Sequence, residues 1–120
     1  MHKAIMLAFT NPRSGDVEKA FNDWYTDKHI HDVVKVPGTV AATRFRILRG
    51  MGLTPDENSP QQGYVALYEL EAETREELNA YVEQLNVALA QGVVDIHPAL
   101  DEKSYAAVFA LPVSGRAVAR

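Results

Sequence analysis

Short apolar segments and longer segments of helical periodicity alternate along the chain. Two segments have helical periodicity: residues 16–34, with Asp16 as the candidate N-cap, and a stretch that begins at Thr74. Thr74-Arg75-Glu76-Glu77 has the pattern of a capping box, which marks a helix start. The remaining apolar segments have strand length and are bounded by turn-forming residues; they are residues 3–10, 39–48, 64–70 and 104–111. The predicted order is β-α-β-β-α-β.

This order is typical of a ferredoxin-like α+β fold, a four-stranded antiparallel sheet with two helices on one face. The chain has 120 residues, of which 47% are hydrophobic. That length suffices for one cored domain and is too short for two ordinary ones. We therefore expect a single domain over residues 1–120.

Several predicted strands are apolar on both faces. In the first, Ile5, Leu7 and Phe9 alternate with Ala4, Met6 and Ala8, and the fourth strand repeats this arrangement. One layer of helices covers only one face of a sheet, so the other face needs a partner. The pattern predicts a homodimer whose sheets pack face to face or close into a barrel.

Charge and composition exclude several partners. The net charge is -4 and no run of lysine or arginine occurs, which argues against nucleic acid and anionic membrane surfaces. The absence of cysteine removes disulfides and a thiolate nucleophile. No apolar run is long enough to span a bilayer, and the first residues lack the features of a secretory signal, so a cytoplasmic location is expected.

Candidate chemistry is concentrated at the end of the first predicted helix. Tyr25, His29 and Asp32 are spaced by four and three residues, so a continuous helix would place them along one stripe. His29 is the candidate proton-transfer residue, Asp32 the group that orients it, and Tyr25 a hydrogen-bond donor to a substrate oxygen. Alternatively, His29 binds helix-terminal carbonyls, and Asp32 faces solvent or pairs with Lys28 or Lys35.

The motif Trp24-Tyr25-x-x-x-His29, followed by Val36-Pro37-Gly38 at the next strand, resembles the dimeric α/β-barrel superfamily, especially its EthD-like branch. The resemblance covers nearly the whole β-α-β-β-α-β plan. It implies the dimeric barrel fold and small-molecule chemistry, since the superfamily includes cofactor-free monooxygenases, polyketide cyclases and dehydratases, lactone isomerases, hydroxynitrile lyases and haem-binding members. A shared fold does not select among these reactions.

Further side chains are candidates for substrate contact. Aromatic rings at strand or helix positions suit the wall of a small-ligand cavity, and an arginine suits a carboxylate; the candidates are Phe21, Trp24, Tyr64, Tyr68, Tyr105 and Arg44. Packing in the core or at an interface is the alternative for the aromatic residues, and pairing with acidic residues at a sheet edge is the alternative for Arg44. Residues 50–63 form a long loop that can serve as a lid.

We expect neither a metal nor a cofactor. His29 and His31 are two residues apart, which points them about 200° apart on a helix and prevents joint ligation. His97 is an isolated histidine with weak support as a haem ligand. The leading hypothesis is a cofactor-independent lyase, dehydratase or isomerase in which His29 moves a proton on an apolar, oxygenated substrate. The alternatives are a cofactor-free monooxygenase of a polyphenol or polyketide-like compound, and a non-catalytic small-ligand-binding dimer.

Overall fold

The computed structural model describes residues 4–120 and contains one four-stranded sheet. The strands are β1 (Ala4–Thr10), β2 (Thr39–Arg46), β3 (Tyr64–Leu70) and β4 (Ala106–Ala110). They lie in the order β2-β3-β1-β4, and every neighbouring pair is antiparallel. This topology confirms the predicted ferredoxin-like fold. The predicted first strand began at Lys3, which lies outside the described residues.

The first helical region is one continuous rod with three parts. A 3-10 turn at Gly15–Val17 leads into α1 (Glu18–Trp24), a π-helical segment (Tyr25–His29) and α2 (Ile30–Val33). The prediction that Asp16 caps this region is wrong: Asp16 lies inside the 3-10 turn, where its carboxylate accepts a hydrogen bond from the Ser14 hydroxyl.

The second helix, α3 (Arg75–Ala90), starts as its capping box predicts. The Thr74 hydroxyl accepts a hydrogen bond from the amide of Glu77 at 3.1 Å. The Glu77 carboxylate reaches back to the amide of Glu73, also at 3.1 Å. Two amide hydrogens at the helix start are therefore satisfied by side chains.

The Pro37-Gly38 pair turns the chain from α2 into β2. Gly38 has a φ of 97°, a backbone conformation that favours glycine. A Cβ at this position would lie 3.1 Å from Cδ1 of Tyr81, so the close approach of α3 also requires glycine. The Tyr81 hydroxyl then hydrogen-bonds the Thr39 hydroxyl at 2.8 Å, which fixes the start of β2 against α3.

The helices cover one face of the sheet and leave the other without a second layer. On the helix side the central strands contribute mainly small side chains, with Met6, Tyr68 and Leu70 as the large ones. On the opposite side Phe45 is 51% exposed and Val108 is 49% exposed. The expected two-faced apolar sheet is therefore present. Across residues 4–120, no helix has the length and apolar composition that crossing a bilayer requires.

Candidate functional site

A cavity of about 270 Å³ lies between the helix-side face of the sheet and the helices. Most of its wall is aliphatic, and its polar groups come from three tyrosines, one histidine and one glutamate. It is lined by Met6, Ala8, Tyr25, His29, Val33, Tyr68, Leu85, Leu89, Val94, Ile96, Leu100, Glu102 and Tyr105. A concave apolar site with a few convergent polar groups is the usual form of a small-molecule site.

The π-helical segment brings Tyr25 and His29 together at this cavity. A π turn contains more residues than an α turn, so residues four apart lie more nearly above one another than in an α-helix. The ring centroids of Tyr25 and His29 are 4.7 Å apart in an edge-to-face arrangement. Short π segments inside helices occur frequently at functional sites.

The predicted orienting role requires Asp32 to contact His29, but the structure does not bring these two side chains together. The π-helical segment inserts about one extra residue, which rotates the following residues by about 100° around the helix axis. The Asp32 carboxylate instead lies 2.6 Å from the Lys28 ammonium and 3.7 Å from that of Lys35. This is the alternative that the sequence left open for Asp32.

The backbone carbonyl of Asp95 orients His29. Nδ1 of His29 lies 3.1 Å from this oxygen, and because a carbonyl can only accept, Nδ1 carries the hydrogen. His29 lines the cavity, so Nε2 remains as a lone-pair acceptor that a bound molecule can use. Burial lowers the pKa of His29 to about 4, and the Asp95 carbonyl opposes this shift only in part. The imidazole is therefore neutral at physiological pH.

Two buried phenols face the cavity beside His29. The hydroxyls of Tyr25 and Tyr68 are 3.5 Å apart. Burial raises the pKa of Tyr25 to about 12 and raises the pKa of Tyr68 further. Both groups remain protonated near neutral pH and can donate hydrogen bonds to an oxygen of a ligand. Tyr105, whose pKa burial also raises, contributes a third phenol.

Trp24 and Phe21 lie behind this wall, in the core. The Trp24 ring packs against the rings of His29 and His97 in tilted arrangements, with centroid distances of 4.6 and 5.6 Å. Phe21 is fully buried and packs against the rings of Trp24, Tyr25 and Tyr64. Neither residue lines the cavity, so the structure does not place them where a ligand in it would be contacted.

Arg44 and Tyr64 also lie outside the cavity lining. The Arg44 guanidinium sits over the Tyr25 ring, 4.3 Å from its centroid, and donates a hydrogen bond to the Thr26 hydroxyl at 2.9 Å. The Tyr64 hydroxyl donates to the Glu18 carboxylate at 2.6 Å. Arg44 thus packs against Tyr25, which lines the cavity. Among the described residues, no carboxylate forms an ion pair with Arg44.

Sequence reasoning missed the segment between α3 and β4, which supplies several cavity residues. Val94 and Leu100 are buried there, and the amide of Arg13 donates to the carbonyl of Ala99 at 2.7 Å. This segment also carries Glu102 and the Asp95 carbonyl. The apolar residues of this segment follow neither helical nor strand periodicity. Only the high proportion of apolar residues in a loop could have indicated that the segment is buried.

His97 is held by the same segment. Its Nδ1 accepts a hydrogen bond from the Ala99 amide at 2.9 Å, and its ring does not line the cavity. Within residues 4–120, no three histidine or carboxylate side chains are grouped to hold a metal ion.

The buried histidine makes stability depend on pH. The pKa of His29 is about 4 in the folded protein and 6.5 in an unfolded chain. Between these values the unfolded chain binds a proton that the folded protein does not. The free energy of unfolding is therefore expected to fall as the pH is lowered from 6.5 to 4, by about 3 kcal/mol from this residue.

Urea unfolding at several pH values from 7 to 4 measures this effect. His29→Gln should lose most of the dependence in that window, whereas the exposed neighbour variant His31→Gln should retain it. Equal pH dependence in the wild type and His29→Gln would show that His29 is not buried in its neutral form.

Comparison with solved structures identifies proteins of the same fold. A variant of MhuD with two manganese protoporphyrin IX molecules per active site is 13% identical, with a TM-score of 0.61 over 96% of this chain and 99% of that one. An EthD family protein from Bacillus halodurans is 13% identical, with a TM-score of 0.55 over 94% and 100%. A monooxygenase from the gene ActVA-Orf6 of Streptomyces coelicolor, bound to nanaomycin D, is 13% identical, with a TM-score of 0.52 over 98% and 94%.

Sequence comparison adds no closer relative. No protein-family model matches the chain, and no curated protein sequence matches it significantly. At 13% identity the solved structures establish the fold alone. One of the three structures is an EthD family protein, which agrees with the resemblance carried by Tyr25, His29 and Pro37-Gly38. This chain has the same ferredoxin-like α+β fold as all three proteins.

Proposed function

We propose that this protein is a cofactor-free monooxygenase that oxidises a small phenolic or polyketide-like aromatic compound in the cavity beside His29. The carrying observation is the neutral imidazole: Nδ1 is fixed by the Asp95 carbonyl, so Nε2 is an acceptor in a mainly aliphatic cavity that also contains three phenols. A fold relative that is a monooxygenase bound to nanaomycin D agrees with this proposal.

The proposed reaction begins with a proton transfer from the substrate hydroxyl to Nε2 of His29. The resulting phenolate supplies electrons to dioxygen, and a bond forms between a ring carbon and oxygen. The peroxide takes the proton back from the imidazolium. Cleavage of the O–O bond with loss of the hydrogen on that carbon then yields a quinone and one water. Dioxygen is the oxidant, so no external reductant is required.

The low pKa of His29 is compatible with this role. In the empty cavity the nearby carboxylates of Asp95 and Asp32 offset only part of the cost of burying an imidazolium. A phenolate next to His29 supplies a further negative charge, which raises the pKa of the imidazole in the complex. The phenols of Tyr25 and Tyr68 donate hydrogen bonds and stabilise the same negative charge.

An oxygen electrode tests the proposal. Purified protein is mixed with a dihydroxynaphthalene or an anthrone, and dioxygen uptake is compared with quinone formation. Equal molar amounts of dioxygen consumed and quinone formed are expected, without hydrogen peroxide. Conversion of substrate under nitrogen would instead establish the lyase, dehydratase or isomerase chemistry of the leading sequence hypothesis. Saturable binding of these compounds without conversion would establish a non-catalytic binder.

A porphyrin does not fit this cavity as well as a neutral aromatic compound does. His29 has a free Nε2 that can ligate iron, but a haem also carries two propionates. The cavity lining contains one carboxylate, Glu102, and no lysine or arginine among the described residues to receive them. The haem-ligand role considered for His97 has no support either, because its ring stacks on Trp24 outside the cavity.

We further propose that the protein is a homodimer that buries the open face of the sheet. That face carries apolar side chains from all four strands, including Leu7, Phe45, Leu67 and Val108. Covering this surface with a second copy removes apolar area from water. It also explains why the strands are apolar on both faces.

Val108→Lys is expected to convert the dimer into a monomer, because a lysine there places a charge within the apolar face that the second copy would bury. Light scattering after size exclusion measures the mass, which should change from about twice 13.3 kDa to 13.3 kDa. Val87→Lys is the matched control, since Val87 on α3 is 48% exposed and Val108 is 49% exposed. A wild-type monomer, or equal masses for the two variants, would contradict the proposed interface.

A further inference from the structure

The cavity has a single formal charge in its lining. Glu102 lies in the segment before β4 and is the one acidic residue of the lining, which contains no lysine or arginine, and His29 is neutral. The other polar groups are phenols. Substrates therefore meet a negative charge at a site that is otherwise apolar and aromatic.

Within residues 4–120, no salt bridge to the Glu102 carboxylate is present. The ion pairs in residues 4–120 involve other carboxylates, those of Asp23, Asp32 and Asp95. Arg44, which the sequence offered as a binder of carboxylate ligands, packs on the Tyr25 ring and does not line the cavity. A negatively charged ligand would thus meet one carboxylate in the lining and no lysine or arginine among the described lining residues.

Glu102 is also accessible to an approaching ligand. The residue is exposed, and the neighbouring cavity residue Tyr105 is 46% exposed, whereas Tyr25 and Tyr68 are buried on the inner side. Glu102 therefore marks the mouth of the cavity. An aromatic body can enter as far as His29 while a polar substituent remains beside the carboxylate.

We infer that Glu102 is a specificity-determining residue that makes the cavity accept uncharged and cationic aromatic compounds and reject carboxylates. This inference rests on the proposed function, since it assigns the charge class of the ligand for the same cavity. Its physical basis is Coulomb repulsion between two carboxylates at the mouth of the cavity, where both are close together and salt screens them. Attraction of a protonated amine by Glu102 follows from the same geometry.

The test uses three naphthols that differ in one substituent at the same ring position: hydrogen, carboxylate and aminomethyl. Calorimetry or intrinsic fluorescence gives the dissociation constants at low salt. The wild type is expected to bind the hydroxynaphthoate about tenfold more weakly than naphthol and the aminomethyl compound more tightly. Raising the ionic strength should reduce both differences.

Glu102→Gln should bring the three dissociation constants close together and remove their order by substituent charge. Glu83→Gln on α3 is the control, because Glu83 is exposed and does not line the cavity. It removes the same charge and should keep the wild-type order of affinities.

The outcomes separate this inference from the proposed function. Equal binding of naphthol and hydroxynaphthoate by the wild type, or an unchanged order in Glu102→Gln, would overturn the role of Glu102 and leave the monooxygenase proposal standing. Failure of all three compounds to bind would overturn both. Discrimination by charge without dioxygen uptake would support the role of Glu102 and contradict the proposed oxidation.

Discussion

His29→Ala is expected to lower the rate of quinone formation by about 10² to 10⁴ fold, the range typical of losing a general base. The substitution removes Nε2, the acceptor that His29 offers to a ligand in the cavity. Tyr25 and Tyr68 remain as hydrogen-bond donors, so the substrate should still bind. The loss is therefore expected mainly in kcat. The rate of increase in quinone absorbance and the rate of dioxygen uptake both measure kcat.

His31→Ala provides the matched control for this experiment. His31 lies two residues further along the same rod, is exposed and does not line the cavity. Its replacement should leave kcat within experimental error of the wild type. Circular dichroism and gel filtration verify that both variants are folded with the same assembly state. A fully active His29→Ala protein would refute the proton-transfer role.

Phe21→Ala is expected to lower the free energy of unfolding by about 3 to 5 kcal/mol, the range for truncating a large buried side chain. Phe21 is 0% exposed, and its ring lies between the aromatic rings of the first helical region and Tyr64 on the sheet. Removing the ring leaves a void that these rigid neighbours can fill only in part. Chemical denaturation followed by fluorescence and circular dichroism measures the loss.

Leu53→Ala is the control for hydrophobic truncation. Leu53 lies in the loop before β3 and is 94% exposed, so its loss should change stability by less than about 0.5 kcal/mol. If Phe21→Ala is too unstable to purify, Phe21→Leu retains part of the buried volume and should show a smaller loss. A change below about 1 kcal/mol in Phe21→Ala would contradict its position in the core.

The fold could be predicted because each element carries its own local signal. The capping box at Thr74 gives the start of α3, and the third strand was predicted with the bounds 64–70 that the structure has. Alternation in β1 grouped Ala4, Met6 and Ala8 on one face, and the structure buries that face under the helices. These signals depend on residues close in sequence, so a single chain suffices to interpret them.

The candidate site was less predictable because two of its determinants leave no side-chain pattern. The π-helical segment at Tyr25–His29 changes the phase of the rod, which removed Asp32 from the expected stripe. The group that orients His29 is a backbone carbonyl, that of Asp95, and any residue could supply it. Glu102 was missed because only the tertiary fold brings it to the cavity that His29 also lines.

The π-helical segment has a consequence for how this site can change over time. The directions in which the Tyr25 and His29 side chains point depend on how many residues lie between α1 and α2. The identity of those residues is not sufficient to set these directions. Insertion or deletion of one residue there re-aims every later side chain of the rod while preserving its composition. Loss or gain of such a site in a lineage would then be recorded as a gap of a single codon, which a survey of point substitutions does not detect.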